Sequence, residues 1–300
     1  MKKISPKAIL LQITALLSMT FVSCQSYRLL KKVFIPQNSI PEAYLKKIDS
    51  KSKIQRISYT TKDYYGDKSE ITKYANVYLP ADYNSDKEYN VLYLMHGIGG
   101  DEDEWEMNND NSNVKKIMDN LINNGEIKGF IIVTPNGRSS KDAQNRNADF
   151  NSFYVFGQEL RNDLIPFIEK TYNVKKDRSA RAIAGLSMGG MQTINIGLCE
   201  CLDLFSYFGA FSAAPTTYNS KKITEKTDSY KNLDIKYFYN ICGTEDGIAF
   251  TPAYEATKDL ININNKINES NFIWQTLPGI HDFNIWYLGF YNFARVVFTK

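Results

Sequence analysis

Short hydrophobic runs alternate with longer mixed segments over most of the chain. The runs are nearly continuous and span residues 91–95, 130–134, 181–184, 205–211 and 237–242. Strands that are buried on both faces of a sheet have this pattern, whereas half-exposed strands alternate between polar and apolar positions. The pattern therefore predicts a mostly parallel sheet in the interior.

Helical periodicity marks the segments between these runs. Residues 114–124 and 159–172 carry apolar side chains at three- and four-residue spacing, and Pro166 is expected to kink the second helix. Pro252 suits the first turn of a helix leading to residue 266, and the aromatic-rich residues 284–298 predict a last helix. Because strands and helices alternate, we expect helices on both faces of the sheet.

Two strands of another kind precede the buried runs. Residues 56–61 and 72–79 flank the turn signal Tyr65-Gly66-Asp67, which predicts an antiparallel hairpin. The expected fold is α/β, with this N-terminal hairpin, a mostly parallel central sheet and helices on both faces. The chain of 300 residues is too short for two full catalytic domains, so we expect one domain over residues 55–300.

The N-terminus has the features of an export signal. Lys2 and Lys3 precede an apolar stretch over residues 8–22, and a small residue, Ser23, follows it. The apolar stretch is too short for a typical membrane-spanning helix. We therefore expect a signal peptide over residues 1–23 and an exported protein.

The end of this signal resembles a bacterial lipoprotein signal, in which a cysteine becomes the lipid-modified first residue. Here that residue is Cys24, although Phe21 stands where leucine is usual. The resemblance implies a membrane-anchored protein, periplasmic or at the cell surface, with residues 24–54 as a polar tether. Secretion without lipidation and an uncleaved anchor helix are the alternatives.

Charge and cysteine content exclude several classes of function. The 36 basic and 33 acidic residues give a net charge of +3, and three of the lysines lie in the predicted signal, so the mature chain is neutral and gives no reason to expect a nucleic-acid partner. Cys199 and Cys201 are predicted to be buried apolar residues, and with Cys242 they leave an odd count. No metal site and no cofactor motif is expected, and the acidic run 101–104 is interpreted as a solvated loop.

The strongest chemical signal is Gly185-Leu186-Ser187-Met188-Gly189. It follows a predicted strand and precedes the helix-like residues 191–199, which is the context of the G-x-S-x-G nucleophile elbow. Glycines flank the serine because a strand-to-helix turn this tight leaves no space for side chains. Ser187 is therefore the candidate nucleophile.

A serine nucleophile needs a base, and the chain contains only two histidines. His281 follows the strand-like residues 272–276. It is the candidate base because it comes after the serine in the chain, which is the order that accompanies a G-x-S-x-G elbow. His96 ends a predicted strand before a glycine-rich loop and is expected to hold that loop. The loop and the elbow should supply the oxyanion hole through the backbone N–H groups of Ile98 and Met188.

The acid that orients the base should end a strand between the serine and the histidine in sequence. Asp246 follows the run 237–242 in the turn Gly243-Thr-Glu-Asp-Gly and is the best candidate. Glu245 is the second choice. Asp282 is adjacent to His281 and poorly placed to reach its inner ring nitrogen.

The motifs occur together in one order along the chain. They are His96-Gly-Ile-Gly-Gly, Trp105, Pro135-Asn-Gly, Arg181-Ala-Ile-Ala-Gly-Leu-Ser187-Met-Gly-Gly, Gly243-Thr-Glu-Asp246 and Pro278-Gly-Ile-His281-Asp-Phe. From about residue 59 to the C-terminus they resemble the esterase D-like serine hydrolases of the α/β-hydrolase superfamily, especially the feruloyl and acetylxylan esterases of carbohydrate esterase family 1. The resemblance implies hydrolysis of ester-linked ferulate or acetate on plant xylan, through an acyl-enzyme and without a cofactor.

Substrate specificity in such enzymes depends on loops, here residues 138–156 and 215–232, which we expect to wall the pocket. Trp105, Phe150 and Trp286 are candidates to flank an aromatic acyl group, with core packing as the alternative for each. The expected partner is a small-molecule or oligosaccharide ester. An acyltransferase, an esterase for siderophores or thioesters, and a non-catalytic binding protein are the other functions considered.

Overall fold

An eight-stranded mixed sheet runs through the centre of the protein. The computed structural model describes residues 34–145 and 147–299. The strands are β1 Lys53–Lys62, β2 Glu70–Leu79, β3 Val91–Met95, β4 Ile131–Pro135, β5 Arg181–Leu186, β6 Tyr207–Phe211, β7 Tyr237–Gly243 and β8 Phe272–Leu277. Their order is β1-β2-β4-β3-β5-β6-β7-β8, with β2 antiparallel to β1 and β4 and all other neighbours parallel. The predicted hairpin and parallel sheet are both confirmed.

Helices connect the strands of the sheet. They are α1 Asn113–Asn123, α2 Phe156–Glu159, α3 Ile165–Thr171, α4 Met188–Gln192, α5 Ser220–Asp228, α6 Phe250–Thr257, α7 Leu260–Ile263 and α8 Phe283–Ala294. Two π-helical turns, Leu160–Leu164 and Thr193–Leu198, follow α2 and α4. Short 3-10 helices occupy Glu42–Leu45, Phe150–Phe153 and Arg178–Ala180.

The helices cover both faces of the sheet. Consecutive residues of a strand point to opposite faces, and β6 shows what each face contacts. A Cβ on Gly209 would meet the Phe293 ring of α8 at 2.9 Å, whereas Phe208 belongs to the cluster that includes Ile196 of the turn after α4. The expected three-layer α/β-hydrolase fold is therefore confirmed.

Two predicted helices differ from the observed ones in detail. The stretch predicted over 159–172 begins at residue 156, and a π-helical turn directly precedes the segment that contains Pro166, so the helix accommodates the missing N–H without ending. The helix predicted over 252–266 breaks at Asp259, whose φ of 58° is left-handed and ends a regular helix.

The segment 215–232 is not the irregular loop that the sequence analysis predicts. It contains α5, whose N-cap is Asn219, and the Asn219 side chain accepts the N–H of Lys222. Ile223 and Thr227 bury one face of this helix, and Thr227 accepts a hydrogen bond from Asn264. The segment was misinterpreted because α5 is short and mostly polar.

The folded domain begins earlier than predicted. Residues from 36 onward form one compact unit, so residues 36–54 of the predicted tether belong to it. The Gln37 carbonyl accepts hydrogen bonds from Gln275 and Asn292, and the Lys46 carbonyl accepts one from Asn120. The predicted signal peptide 1–23 and Cys24 lie outside the described residues. Among the helices of the described residues, none combines the length and the hydrophobicity that a transmembrane span needs.

Candidate active site

The predicted nucleophile elbow connects β5 to α4. Ser187 lies between them with φ 50° and ψ −112°, a backbone conformation that residues other than glycine rarely adopt. A Cβ on Gly185 would lie 2.7 Å from the Cβ of Met95, and one on Gly189 would lie 2.6 Å from the Met95 carbonyl. The flanking glycines are therefore required because β3 passes directly against the turn.

Ser187, His281 and Asp246 form one chain of hydrogen bonds. His281 Nε2 is 3.0 Å from Ser187 Oγ, and its Nδ1 is 2.8 Å from Asp246 Oδ2. Because a carboxylate only accepts, Nδ1 carries the proton and Nε2 is free to accept the serine O–H. The structure thus brings together the three side chains selected from the sequence, in the arrangement by which imidazole takes a proton from an alcohol.

The Asp246 carboxylate is buried and well satisfied. Burial opposes its ionisation, but the N–H of Ala249 at 2.8 Å and the hydrogen bond to His281 outweigh that cost, so the pKa of Asp246 lies below its ordinary value. The carboxylate is therefore charged at neutral pH and stabilises a protonated imidazole. Glu245, the second choice, is exposed, and Asp282 accepts the N–H of Asn284 at the start of α8.

The loops that carry the acid and the base are attached to each other. A Cβ on Gly243 would lie 2.2 Å from the carbonyl of Gly279, so the two backbones touch. The Glu245 N–H donates to that Gly279 carbonyl at 2.9 Å, and the Thr244 N–H donates to Leu277 at 2.9 Å. This contact fixes the separation of Asp246 and His281.

His96 holds the glycine-rich loop, as predicted. Its Nε2 accepts the N–H of Gly137 at 2.8 Å, so its Nδ1 is the protonated nitrogen that donates to the Gly97 carbonyl at 2.7 Å. Burial lowers the pKa of His96 to about 4, which keeps the ring neutral at physiological pH. His96 is therefore a structural residue and not a second base.

Both predicted oxyanion donors have available N–H groups. Met188 is the first residue of α4, so its N–H has no acceptor within the helix. Over residues 34–145 and 147–299, neither Ile98 nor Met188 donates its N–H to another protein group. These two N–H groups are therefore available to a substrate oxygen, and their role as the oxyanion hole stays a prediction.

Trp105 is not a pocket residue, contrary to its selection as a substrate-binding candidate. Its side chain is fully buried, and its indole N–H donates to the Met95 carbonyl at 3.0 Å. Its ring packs edge-on against the rings of Phe211, Phe283 and Tyr287. It belongs to the core beneath the site.

The other two aromatic candidates differ from each other in exposure. Trp286 is mostly buried, and its ring lies edge-on to the His281 imidazole with centroids 5.1 Å apart. Phe150 is 46% exposed and contacts Tyr154, which packs against the cluster containing Met188. Trp286 thus supports the imidazole directly, while the role of Phe150 in binding stays a prediction.

Sequence reasoning missed a set of exposed aliphatic side chains. Ile98, Ile248 and Ile280 are each about half exposed, and they adjoin the oxyanion loop, the acid turn and the base in sequence. Exposed large apolar groups beside a polar site favour an apolar ligand group. Their position next to each motif was a signal available in the sequence.

The acidic run 101–104 is not the solvated loop that was predicted. Glu102 is buried and accepts hydrogen bonds from Arg56 at 2.6 Å and Asn136 at 3.2 Å. Glu104 accepts the N–H of Gly97 at 2.5 Å. The run therefore supports the oxyanion loop, a role that the charge pattern alone could not indicate.

Comparison with known proteins identifies relatives of the chain. The protein-family model described as "Putative esterase" matches residues 70–281. The chain is 30% identical over 259 residues to endo-1,4-beta-xylanase Y of Acetivibrio thermocellus, covering 80% of this chain and 22% of that protein. It is 36% identical over 177 residues to the endo-1,4-beta-xylanase/feruloyl esterase of Xylanibacter ruminicola, covering 57% of this chain and 23% of that protein. The chain thus spans less than a quarter of the length of these relatives.

Solved structures give the same assignment. The ferulic acid esterase of the anaerobic fungus Anaeromyces mucronatus, a carbohydrate esterase family 1 protein, superimposes with a TM-score of 0.74 at 27% identity, covering 88% of this chain and 98% of that one. The same enzyme in complex with ferulic acid superimposes with a TM-score of 0.73 at 26% identity, over the same shares of the two chains.

Proposed function

The chain belongs to this esterase family, and from that premise we propose that it is a serine esterase releasing ferulate or acetate from plant cell-wall polysaccharide such as xylan. The observation that carries the proposal is the hydrogen-bonded chain from Ser187 through His281 to the buried Asp246. Membership of an esterase family and this row of hydrogen bonds both indicate the same chemistry, which is acyl transfer to a serine.

In the proposed mechanism, Ser187 Oγ attacks the ester carbonyl while His281 Nε2 takes its proton. The N–H groups of Ile98 and Met188 stabilise the oxyanion, and the imidazolium then protonates the departing sugar oxygen. Water, deprotonated by the same imidazole, attacks the acyl-enzyme, and the imidazolium returns this proton to Ser187 Oγ as the acid leaves. Asp246 stabilises the imidazolium in both steps, and no cofactor is required.

Two observations support an aromatic acyl group in particular. The half-exposed Ile98, Ile248 and Ile280 provide apolar surface on the segments that carry the oxyanion loop, the acid and the base, which suits the ring of a cinnamate better than a small acetyl group. One structural neighbour is described in complex with ferulic acid, and one sequence relative carries feruloyl esterase in its name.

The test is a panel of esters assayed with the protein and with Ser187→Ala. The panel contains methyl ferulate, a feruloylated arabino-xylooligosaccharide, acetylated xylooligosaccharide, a siderophore ester and a thioester. We expect the highest kcat/KM on the feruloylated oligosaccharide. Ser187→Ala should lose roughly 10⁴-fold or more in kcat, since only the oxyanion hole and substrate binding remain.

Two results would refute the proposal. Undiminished turnover by a folded Ser187→Ala variant would show that the serine is not the nucleophile. Preference for the siderophore ester or the thioester over every polysaccharide-derived ester would retain the mechanism and exclude the substrate.

We also propose that the protein is exported and anchored to a membrane by a lipid on Cys24. The support is the sequence pattern of residues 1–24 alone. Metabolic labelling with a fatty acid should label the wild-type protein and not Cys24→Ala, and the wild type should partition with membranes. An unlabelled protein in the soluble extracellular fraction would exclude the anchor and keep the export.

A further inference from the structure

The loop that carries one oxyanion donor has most of its backbone polar groups bonded. The Gly97 N–H donates to Glu104, and the Gly97 carbonyl accepts from His96 Nδ1 and from the Gly100 N–H at 3.2 Å. The remaining N–H groups, those of Ile98 and Gly99, have no protein acceptor over residues 34–145 and 147–299. The loop is therefore held through Gly97 and Gly100, while the N–H groups of Ile98 and Gly99 are left available to a substrate oxygen.

A single buried side chain binds two further carbonyls of this loop. Arg138 is fully buried, its Nη1 donates to the Gly100 carbonyl at 2.7 Å, and its Nη2 donates to the Ile98 carbonyl. These two carbonyls lie in the peptide unit before Gly99 and in the peptide unit after Gly100. Because the guanidinium is a rigid planar fork, binding both fixes their relative orientation.

Arg138 is itself held in place from three directions. Its N–H donates to Asn136 Oδ1 at 3.1 Å, and its carbonyl accepts the ammonium of the buried Lys73 at 2.6 Å. Its guanidinium lies 4.7 Å from the centroid of the Phe153 ring, and Phe153 belongs to the buried cluster that contains Met188. The side chain thus contacts both the loop of Ile98 and the cluster that contains the residue with the other oxyanion donor.

We propose that Arg138 is the positioning residue of the oxyanion hole, holding residues 97–100 so that the Ile98 N–H faces Ser187. The inference rests on the proposed function, because it assigns Arg138 a part in the same acyl transfer. Arg138 does not touch the substrate. It acts through the loop, so its loss affects the transition state, in which the oxyanion forms, more than the binding of the ester.

The test compares Arg138→Met and Arg138→Lys with a matched control. Arg181→Met serves as the control because Arg181 is also buried and also donates to two backbone carbonyls, that of Leu204 at 2.9 Å and that of Lys176 at 2.6 Å. Arg181 begins β5, whereas Ser187 follows the other end of this strand. For each variant, kcat and KM on 4-nitrophenyl acetate, the rate constant for phosphonylation of Ser187 by a fluorophosphonate, and Tm are measured. Assays are run well below the lowest Tm.

Arg138→Met should lower kcat and the phosphonylation rate constant by about 10- to 100-fold while KM changes by less than about 2-fold, since removing an oxyanion donor outright costs roughly 10²–10³ in kcat. The kcat and the phosphonylation rate constant of Arg138→Lys should lie between those of Arg138→Met and the wild type, because an ammonium keeps the charge but cannot bind two carbonyls in the planar geometry of a guanidinium. Arg181→Met should lower Tm and leave kcat unchanged.

Wild-type kcat and phosphonylation in folded Arg138→Met would overturn the proposal, as would equal losses in the Arg181→Met control. If Arg138→Met does not fold, Arg138→Lys decides, and an unchanged phosphonylation rate in it overturns the proposal. Failure of the proposed function is a distinct result: the wild-type protein itself would then hydrolyse no ester and resist phosphonylation.

Discussion

Ser187 shows how the surrounding structure determines the conformation of one residue. Its left-handed φ costs of order 1–3 kcal/mol, so other contacts must hold it. The Ser187 N–H donates to Phe211 at 2.9 Å, and its carbonyl accepts the N–H of Ala214 at 2.9 Å. Both partners lie at or just beyond the end of β6, so the neighbouring strand, and not the elbow alone, holds the serine in place.

Replacing Asp246 by Asn should lower kcat by roughly 10³- to 10⁴-fold, because the amide offers His281 a donor where it needs an acceptor and so favours the wrong tautomer. Stopped-flow or steady-state assays on 4-nitrophenyl acetate measure the change. Asp282→Asn is the matched control. Since Asn caps a helix about as well as Asp, this variant should keep both activity and stability. Equal losses in the two variants would contradict the assignment of Asp246.

Burial of His96 should make the protein less stable as the pH falls. The pKa of the folded imidazole is about 4 against an ordinary value of 6.5, so between these pH values the unfolded state binds the additional proton. The free energy of unfolding should therefore decrease from pH 6.5 toward pH 4, by roughly 3 kcal/mol from this residue. Urea unfolding at several pH values measures it.

His96→Asn provides the comparison for this pH dependence. The variant should be less stable than the wild type at pH 7, and the difference should shrink as the pH falls toward 4. Parallel stability curves for the two proteins would show that His96 does not account for the acid sensitivity.

At the scale of residues, the sequence identified three side chains that the structure brings together, but not the side chains that surround them. Ser187, Asp246 and His281 could be selected because the fold imposes their order and places each at the end of a strand. Trp105 was misassigned because sequence gives no direction for a side chain, and its N–H turned out to satisfy a strand carbonyl. Arg138 was passed over because nothing in its sequence context distinguishes a buried arginine from an exposed one.

At the scale of elements, the strand-to-helix junction is the least tolerant part of the fold. Gly189→Ala should destabilise the protein by about 1–3 kcal/mol, because the new Cβ would meet backbone atoms of Met95 that cannot move aside. Gly247→Ala is the control, since a Cβ there has no neighbour within 4 Å. Urea unfolding of both variants measures the difference. Equal stabilities would show that β3 does not constrain the elbow.

The parallel strands were predicted closely because each is a continuous apolar run. Elements with few apolar residues, which depend on polar contacts to the rest of the fold, were not predicted. Helix α5 carries few apolar residues and depends on contacts such as the one from Asn264 to Thr227. Residues 36–52 likewise show no periodicity, and they join the domain through backbone carbonyls such as those of Gln37 and Lys46, which sequence patterns do not register.

At the scale of the whole molecule, a buried ion pair connects the antiparallel edge of the sheet to the active site. Lys73 on β2 contacts Glu159 at 2.7 Å, and it also donates to the carbonyls of Asn136 and Arg138. Glu159 accepts further hydrogen bonds from Tyr59 and from the serine that follows Arg138. Burial lowers the pKa of Lys73 and raises that of Glu159, so each depends on the other to stay charged. Residues 136–138, which bind His96 and the oxyanion loop, are therefore anchored to the N-terminal hairpin.

Lys73→Met should destabilise the protein by about 3–5 kcal/mol, because it leaves the Glu159 carboxylate buried without a cation. Lys141→Met is the control: Lys141 pairs with Asp67 at 3.3 Å on the surface, where an ion pair contributes at most about 1 kcal/mol. Adding Glu159→Gln to Lys73→Met should recover part of the loss, since the amide removes the uncompensated charge. Urea unfolding at pH 7 measures all three variants. If Lys73→Met costs no more than Lys141→Met, the anchor does not stabilise the fold, and the hairpin and the active site are independent of each other.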